Sequence, residues 1–291
     1  YASVYAYSLE CGFELSNPSF FEYGEYFTMP AAPNSLFKIL FFLPFRDYAK
    51  RKTSIKRKIW GKFYKWYSSV VLMVAGDKVA YADEKNPRAY YLPPSVATDD
   101  FIPNIEKQNT IYFNGWLFRN PKGLEKYRNE IIEYFSPRKN IKKTVDSTIE
   151  NLRKKYEVLV GIHIRQGYYK IWRGGEYFIE QNCVRKIVGE YLEMANKNQT
   201  KVCFVITSDG EINPEIFSGL NIFISHGNAV HDLFLLSKTD IIIGSNSTFG
   251  AFASYYGNIP FIVMQKEEVD WNYYKDKRFY FENKYSTFVF Y

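Results

Sequence analysis

The sequence holds few of the residues that would make it a disulfide scaffold, a zinc protein or a membrane-spanning chain. Its three cysteines, Cys11, Cys183 and Cys203, are odd in number, far apart and form no C-x-x-C pair. That excludes a disulfide framework and a zinc site, and it leads us to expect a reducing, cytoplasmic compartment. No apolar run approaches the roughly 20 residues of a membrane span. The nearest, residues 36–45, is short and interrupted by Lys38 and Pro44. No secretory signal is visible, and neither an internal repeat nor a low-complexity tract occurs. The chain opens on Tyr1-Ala2-Ser3-Val4-Tyr5-Ala6 without a methionine and reads there as the middle of a helix, so removal of a natural N-terminus is expected.

What is present is an ordinary globular composition, 46% hydrophobic and 24% charged. At 291 residues the chain can bury one large core or two medium ones. Aromatics are heavy, with 26 Tyr and 25 Phe; biased composition and a sugar-stacking surface both account for that. A net charge of +7 suits an anionic partner such as a nucleotide diphosphate, an acidic lipid or nucleic acid. Between Arg46 and Lys65 nine basic residues face one acidic residue, with Trp60, Phe63, Trp66 and Tyr67 interleaved at near-helical spacing. This segment, residues 46–67, reads either as a basic amphipathic helix making a peripheral contact with an anionic membrane or as a solvated helix packed on its own domain. No nucleic-acid module accompanies the charge, and none is expected as partner.

Residues 1–155 are irregular, with proline-rich turns at Met29-Pro30-Ala31-Ala32-Pro33 and Tyr91-Leu92-Pro93-Pro94. From residue 156 to 291 the pattern is regular. Apolar runs at 157–164, 201–207, 221–224, 240–244 and 259–263 read as buried strands, and helices are expected at 178–196, 229–237 and 248–256. Strand alternating with helix is a doubly wound parallel α/β sheet, whose ligands bind beyond the carboxyl ends of the strands. We therefore place a domain boundary after residue 155 and expect the site in the loops after Ile164, Thr207, Ile224 and Gly244.

Two of those loops carry candidate chemistry. In His163-Ile164-Arg165-Gln166-Gly167, the arginine at a strand end can hold a phosphate oxygen pair. Further on, His231-Asp232 opens a helix that runs to Ser237, and Ser245-Asn246-Ser247-Thr248-Phe249-Gly250 joins a strand to a helix whose N-terminal N–H groups favour anions. Taken singly, each reads as readily as a strand end or a plain helix cap.

In this order the segments resemble the α-1,2-fucosyltransferases of glycosyltransferase family 11 and, more distantly, the α-1,6- and protein O-fucosyltransferases. The family's H-x-R-x-G-D motif appears as His163 to Gly167. Its D-x-x-x-[LM]-S segment and N-S-S/T-F cluster appear as Asp232 to Ser237 and Asn246-Ser247-Thr248-Phe249. Tyr112-Phe113-Asn114-Gly115-Trp116, Tyr127 to Phe135, Glu176-Tyr177-Phe178 and Thr207-Ser208-Asp209 are weaker matches. The glycine-rich loop that would precede Tyr1 is missing.

The resemblance implies a GT-B-like fold of two Rossmann-like domains: an acceptor-side domain, 1–155, and a nucleotide-sugar domain, 156–291. It implies an inverting, metal-independent transfer of fucose from GDP-fucose to a glycan acceptor. It implies no cofactor beyond the donor substrate, and no Asp-x-Asp occurs for a manganese-diphosphate site. His163 and Asp232 would contact guanine. Arg165, with Ser247 and Thr248, would hold the β-phosphate, and Asn246 and Phe249 complete the donor-binding set. The general base is not identified; Glu22 and Glu25 read as surface residues. Two departures, Gln166 in place of a second arginine and Tyr168 in place of the aspartate after Gly167, leave another donor sugar open. A non-catalytic carbohydrate-binding protein on the same scaffold is also open.

Overall fold

The computed structural model describes residues 1–12, 15, 26–28, 62, 66, 69–70, 73, 79–83, 110–114, 118–196, 200–276 and 285. Apart from Lys62 and Trp66, the basic stretch 46–67 lies outside the described residues, as do Glu22 and Glu25. The chain divides into two compact units, Tyr1–Ser136 and Pro137–Tyr291. Among the described residues no helix is long and apolar enough to cross a membrane.

In the first unit helix α1 (Ala2–Cys11) buries Ala2, Ala6 and Tyr7. A parallel pair, β1 (Val79–Asp83) and β2 (Thr110–Asn114), aligns Tyr81 with Tyr112. Helix α2 (Pro121–Lys126) starts where Asn120 accepts the Gly123 N–H and where proline sits in the first turn, tolerated because it removes an N–H that has no intrahelical partner. Asn120 also donates to Glu10 at 2.9 Å, pinning α2 to α1. Helix α3 (Arg128–Tyr134) follows, and the Tyr1, Tyr5, Tyr134 and Phe135 rings gather at its end.

The second unit opens with α4 (Lys139–Arg153) and then alternates strand and helix: β3 (Val158–Ile164), α5 (Gln181–Asn196), β4 (Val202–Ser208), β5 (Ile222–Ile224), α6 (Ala229–Leu236), β6 (Ile241–Ser245), α7 (Thr248–Gly257) and β7 (Phe261–Met264). All five strands are parallel, in the order β5-β4-β3-β6-β7. The sequence reading put the domain division after residue 155. The contacts divide the chain after Ser136, because α4 packs on β3 and α6. Arg153 at its end grips Asp240 with two hydrogen bonds of 2.6 and 2.7 Å, and the same carboxylate accepts the Leu159 N–H.

The runs of β3, β4, β6 and β7 are buried on both faces, which is why they read as continuous hydrophobic sequence rather than as alternation, whereas the edge strand β5 is only half-buried. One face packs Val160, Ile162, Phe204, Ile206, Ile241 and Ile243 against Val184, Ile187 and Val188 of α5. The other packs Ile242, Phe261 and Val263 against Leu233, Leu236, Ala251 and Ala253 of α6 and α7. Close approach on this second face needs glycine. A Cβ on Gly161 would stand 2.8 Å from the Leu236 side chain, and one on Gly257 would stand far inside van der Waals contact distance of the Ser237 carbonyl oxygen. The helix expected from residue 178 begins at Gln181, because the preceding segment turns at Gly174 and Gly175, both at positive φ.

The order of the strands locates the ligand side. The chain starts in the middle with β3, moves outward through β4 to β5, then returns to lay β6 and β7 on the other flank. The reversal lies between β3 and β6, and a crevice at such a switch point is where doubly wound sheets bind ligands.

Candidate functional site

Three strand ends meet at that point. In register, His163 of β3 lies between Thr207 of β4 and Gly244 of β6. Gly244 is small for a reason: a Cβ there would sit 3.0 Å from the Cβ of His163. The imidazole is buried, 3% exposed. Its Nε2 pairs with Ser247 Oγ at 3.1 Å, its Nδ1 lies 3.4 Å from Thr207 Oγ1, and its ring stacks on Phe249 at 4.8 Å between centroids. Burial, reinforced by the Arg165 guanidinium, lowers its pKa to about 3 against a weaker opposing pull from Asp209. His163 is therefore neutral at physiological pH.

That neutrality has a consequence for stability. The folded protein keeps His163 unprotonated down to about pH 3, whereas the unfolded chain's histidine takes a proton near 6.5. Between those values the unfolded state binds more protons. The stabilising contribution is complete above pH 6.5 and is lost progressively as pH falls through the window. The urea midpoint should therefore drop between pH 7 and pH 5 more steeply in the native protein than in His163→Gln. Parallel pH profiles for the two proteins would count against the buried neutral imidazole.

Arg165 follows one residue after β3, where the strand has ended and a side chain can face the loops. Its backbone N–H donates to Ser245 Oγ at 3.1 Å, which stitches the β3 and β6 loops together across the switch point. The guanidinium pairs with Asp209 at 3.1 Å and lies over the Tyr169 ring at 5.3 Å. Asp209 does a second task with its other oxygen, accepting the N–H groups of Gln166 at 2.7 Å and Gly167 at 3.1 Å. One carboxylate after β4 thus fixes both the backbone and the cation of the His163–Gly167 segment. Tyr169 donates its hydroxyl to the Asn246 carbonyl at 3.0 Å, and burial raises its pKa so that it remains a phenol.

Helix α7 opens on this cluster. Ser247 is its N-cap and accepts the Gly250 N–H with the same oxygen that meets His163. Thr248, the first helical residue, is exposed, and among the described residues the N–H groups of Thr248 and Phe249 have no acceptor, as at any helix start. His163, Arg165, Asn246, Ser247, Thr248 and Phe249 are therefore brought together.

Asp232 occupies a separate corner, on the first turn of α6 beyond the end of β5. It is 7% exposed, and its carboxylate accepts from the Ser225 hydroxyl. Burial raises its pKa to about 6, with the serine bond opposing. Asn228 caps α6 by accepting the Val230 and His231 N–H groups. Among the described residues no hydrogen bond joins Asp232 to the His163 group.

Gln166, the residue in place of a second arginine, is buried; its amide oxygen accepts from Gln181 Nε2 of α5 at 3.1 Å, and Gly210 lies against its Cβ. It serves the frame. Asp209 and Thr207 were given no role at the site from the sequence, Ser245 stood there only as part of the candidate segment 245–250, and Tyr169 was given no role. The strand-end placement of Thr207-Ser208-Asp209 was the one available signal for the first two. Among the described residues no three His, Cys, Asp or Glu side chains gather around a point that could hold one metal ion.

No protein-family model matches the chain, and no curated protein matches its sequence. Solved structures do match. FUT1 of Arabidopsis thaliana, a single-residue mutant in complex with GDP, is 15% identical, with 90% of this chain and 66% of that one covered and a TM-score of 0.52. POFUT1 in complex with GDP is 12% identical over 56% of each chain, with a TM-score of 0.36. The fucosyltransferase NodZ from Bradyrhizobium is 18% identical over 53% of this chain and 54% of that chain, with a TM-score of 0.37. The chain thus spans about half of the POFUT1 and NodZ chains and about two thirds of the FUT1 chain. The likeness to FUT1 shows that the fold is α/β and GT-B-like.

Proposed function

We propose that the chain is a glycosyltransferase of the fucosyltransferase type, transferring L-fucose from GDP-fucose to a glycan hydroxyl in the manner of an α-1,2-fucosyltransferase. One observation carries the reading: an arginine and a neutral histidine at the end of the central strand converge with the α7 N-terminus at the switch point of a doubly wound parallel sheet. FUT1, which shares the fold, is a GDP complex.

In the proposed reaction the acceptor oxygen attacks the anomeric carbon from the side opposite the diphosphate. The bond from that carbon to the β-phosphate oxygen breaks, inverting the configuration, and the hydroxyl proton passes to a base. The bond-breaking electrons end on the phosphate, so a donor placed there acts more strongly in the transition state than in the ground state. Arg165 is that donor in our reading, and the α7 N–H groups assist it. This role needs Arg165 to exchange or share its Asp209 partner, which the part-exposed pair allows, with side chains 33% and 30% exposed. No metal is required for leaving-group charge on this scheme. Asp232 accepts guanine's ring and amino N–H groups.

A thermal-shift panel tests the nucleotide. GDP at a hundredfold excess over its Kd should stabilise the protein by about 2.7 kcal/mol, and UDP should do so far less. A larger shift with UDP would overturn the guanine assignment. The Tyr168 departure motivates a second reading, the same scaffold with a different sugar, and product analysis with a panel of GDP-sugars separates the two.

A further inference from the structure

Beside the candidate donor group lies a cleft whose wall, Asn246 apart, has no part in the donor roles. It has a volume of about 160 Å³ and opens between the loop after β3 and the end of β7, walled by Glu176, Tyr177, Asn246, Val263, Gln265 and Lys266. Tyr177 belongs to a triangle of aromatic rings, its centroid 6.1 Å from that of Tyr169. Trp172 lies on Tyr169 with centroids 5.3 Å apart and planes 23° apart, and Tyr177 closes on Trp172 at 5.2 Å. The triangle is anchored to the β6 loop by the Tyr169 hydroxyl on the Asn246 carbonyl.

Among the described residues three polar side chains of this wall, those of Glu176, Gln265 and Lys266, are unengaged, whereas the Asn246 carbonyl and the Tyr285 hydroxyl have partners. Glu176 and Lys266 are exposed and line the same cleft, yet among the described residues neither has a hydrogen-bond or ion-pair partner. The Gln265 backbone N–H closes a turn on Glu268, leaving its side-chain amide uncommitted. A ligand for such a wall must show an apolar face to an aromatic ring, and groups that both donate and accept to a carboxylate, an ammonium and an amide. A phosphate would meet Glu176 unfavourably, and a basic peptide would meet Lys266 so. A pyranose meets all the conditions, since its axial C–H face stacks on aromatic rings and each hydroxyl donates and accepts.

We propose that this cleft is a saccharide subsite that seats one pyranose ring of the acceptor on Tyr177, with its hydroxyls shared among Glu176, Gln265 and Lys266. The inference rests on the glycosyltransferase reading for its role: Asn246 belongs both to the cleft and to the donor segment, so a ring held here lies next to the groups assigned to the diphosphate. The ligand class itself follows from the cleft alone.

Saturation-transfer NMR on the full chain, with methyl β-galactopyranoside and N-acetyllactosamine as probes, tests it with and without GDP. The native protein should transfer saturation to the ring protons of at least one probe. Tyr177→Ala and the double variant Glu176→Gln/Lys266→Met should weaken binding about tenfold, the loss of one stacking contact or hydrogen-bond pair. The GDP-induced rise in melting temperature should be unchanged in both. The double variant alters two exposed residues, so it decides the question if Tyr177→Ala does not fold. Absence of transfer to either probe, or equal transfer in native and variant proteins, overturns the subsite. Failure of GDP to stabilise the native protein overturns the donor assignment instead, since the sugar signal is read without nucleotide.

Discussion

Replacing Arg165 by alanine is expected to lower turnover of GDP-fucose about 10²–10³-fold while the protein stays folded. The size follows from the role: removing one preorganised donor from a developing oxyanion deletes a stabilisation present mainly in the transition state, so kcat should fall more than KM rises. The preserved fold follows from the surroundings. The Arg165–Asp209 pair is one-third exposed and screened by solvent, and such pairs contribute about 0–1 kcal/mol. The backbone N–H of residue 165 keeps its bond to Ser245 whatever the side chain. Arg165→Lys should recover little, because a single ammonium cannot reproduce the planar fork on two phosphate oxygens. The measurement is release of GDP from GDP-fucose, which needs no knowledge of the acceptor. Activity retained within a few-fold in Arg165→Ala would remove the residue from the mechanism.

Asp232→Asn should separate binding from stability in a way that few substitutions do. A guanine edge offers two N–H donors, and an asparagine turns one acceptor oxygen into an N–H₂ group that opposes them, so the Kd for GDP should rise about 100-fold. Stability should move the other way. The folded protein holds the Asp232 proton up to about pH 6, whereas the unfolded chain releases it near 3.8, so the folded state binds more protons between those values. Stability from this group is therefore lost as pH rises through that window, and above pH 6 the protein carries a buried carboxylate with one hydroxyl partner. The neutral amide relieves that, and the ligand-free variant at pH 7.5 should be about 1–3 kcal/mol more stable than the native protein. In the native protein GDP affinity should also fall below pH 6 as the carboxylate gains its proton, a dependence absent from the variant. Isothermal titration across pH 5–8, with urea unfolding at pH 7.5, checks both. Unchanged GDP binding in Asp232→Asn would place guanine elsewhere.

Much of the second unit was legible in the sequence because parallel strands buried on both faces leave unbroken apolar runs. The run at 157–164 became Val158–Ile164, and that at 240–244 became Ile241–Ser245. The order of the strands was not legible: nothing local in Val202–Ser208 says that it lies beside β3 rather than β6. Asp209 escaped for that reason. Its partners Arg165, Gln166 and Gly167 are more than forty positions away, and the ion pair exists only once β4 is known to flank β3. The double use of Ser247, as cap and as histidine partner, was hidden likewise, since a serine before a helix reads the same whether or not another strand delivers an imidazole to it. Gln166 reads in the sequence as a lost charge; in three dimensions it is a buried amide holding α5.

The Arg153–Asp240–Leu159 clasp closes the rim of the sheet where the strands begin. A seven-residue strand separates that rim from the end of β3 by roughly 20 Å. The turn that leads from α4 into β3 at that rim, Lys154 and Lys155, is exposed. A peptide tag or tether grafted at that turn would leave the second unit's strand-end loops unobstructed, so the protein can be held on a sensor surface and its nucleotide and sugar binding followed directly.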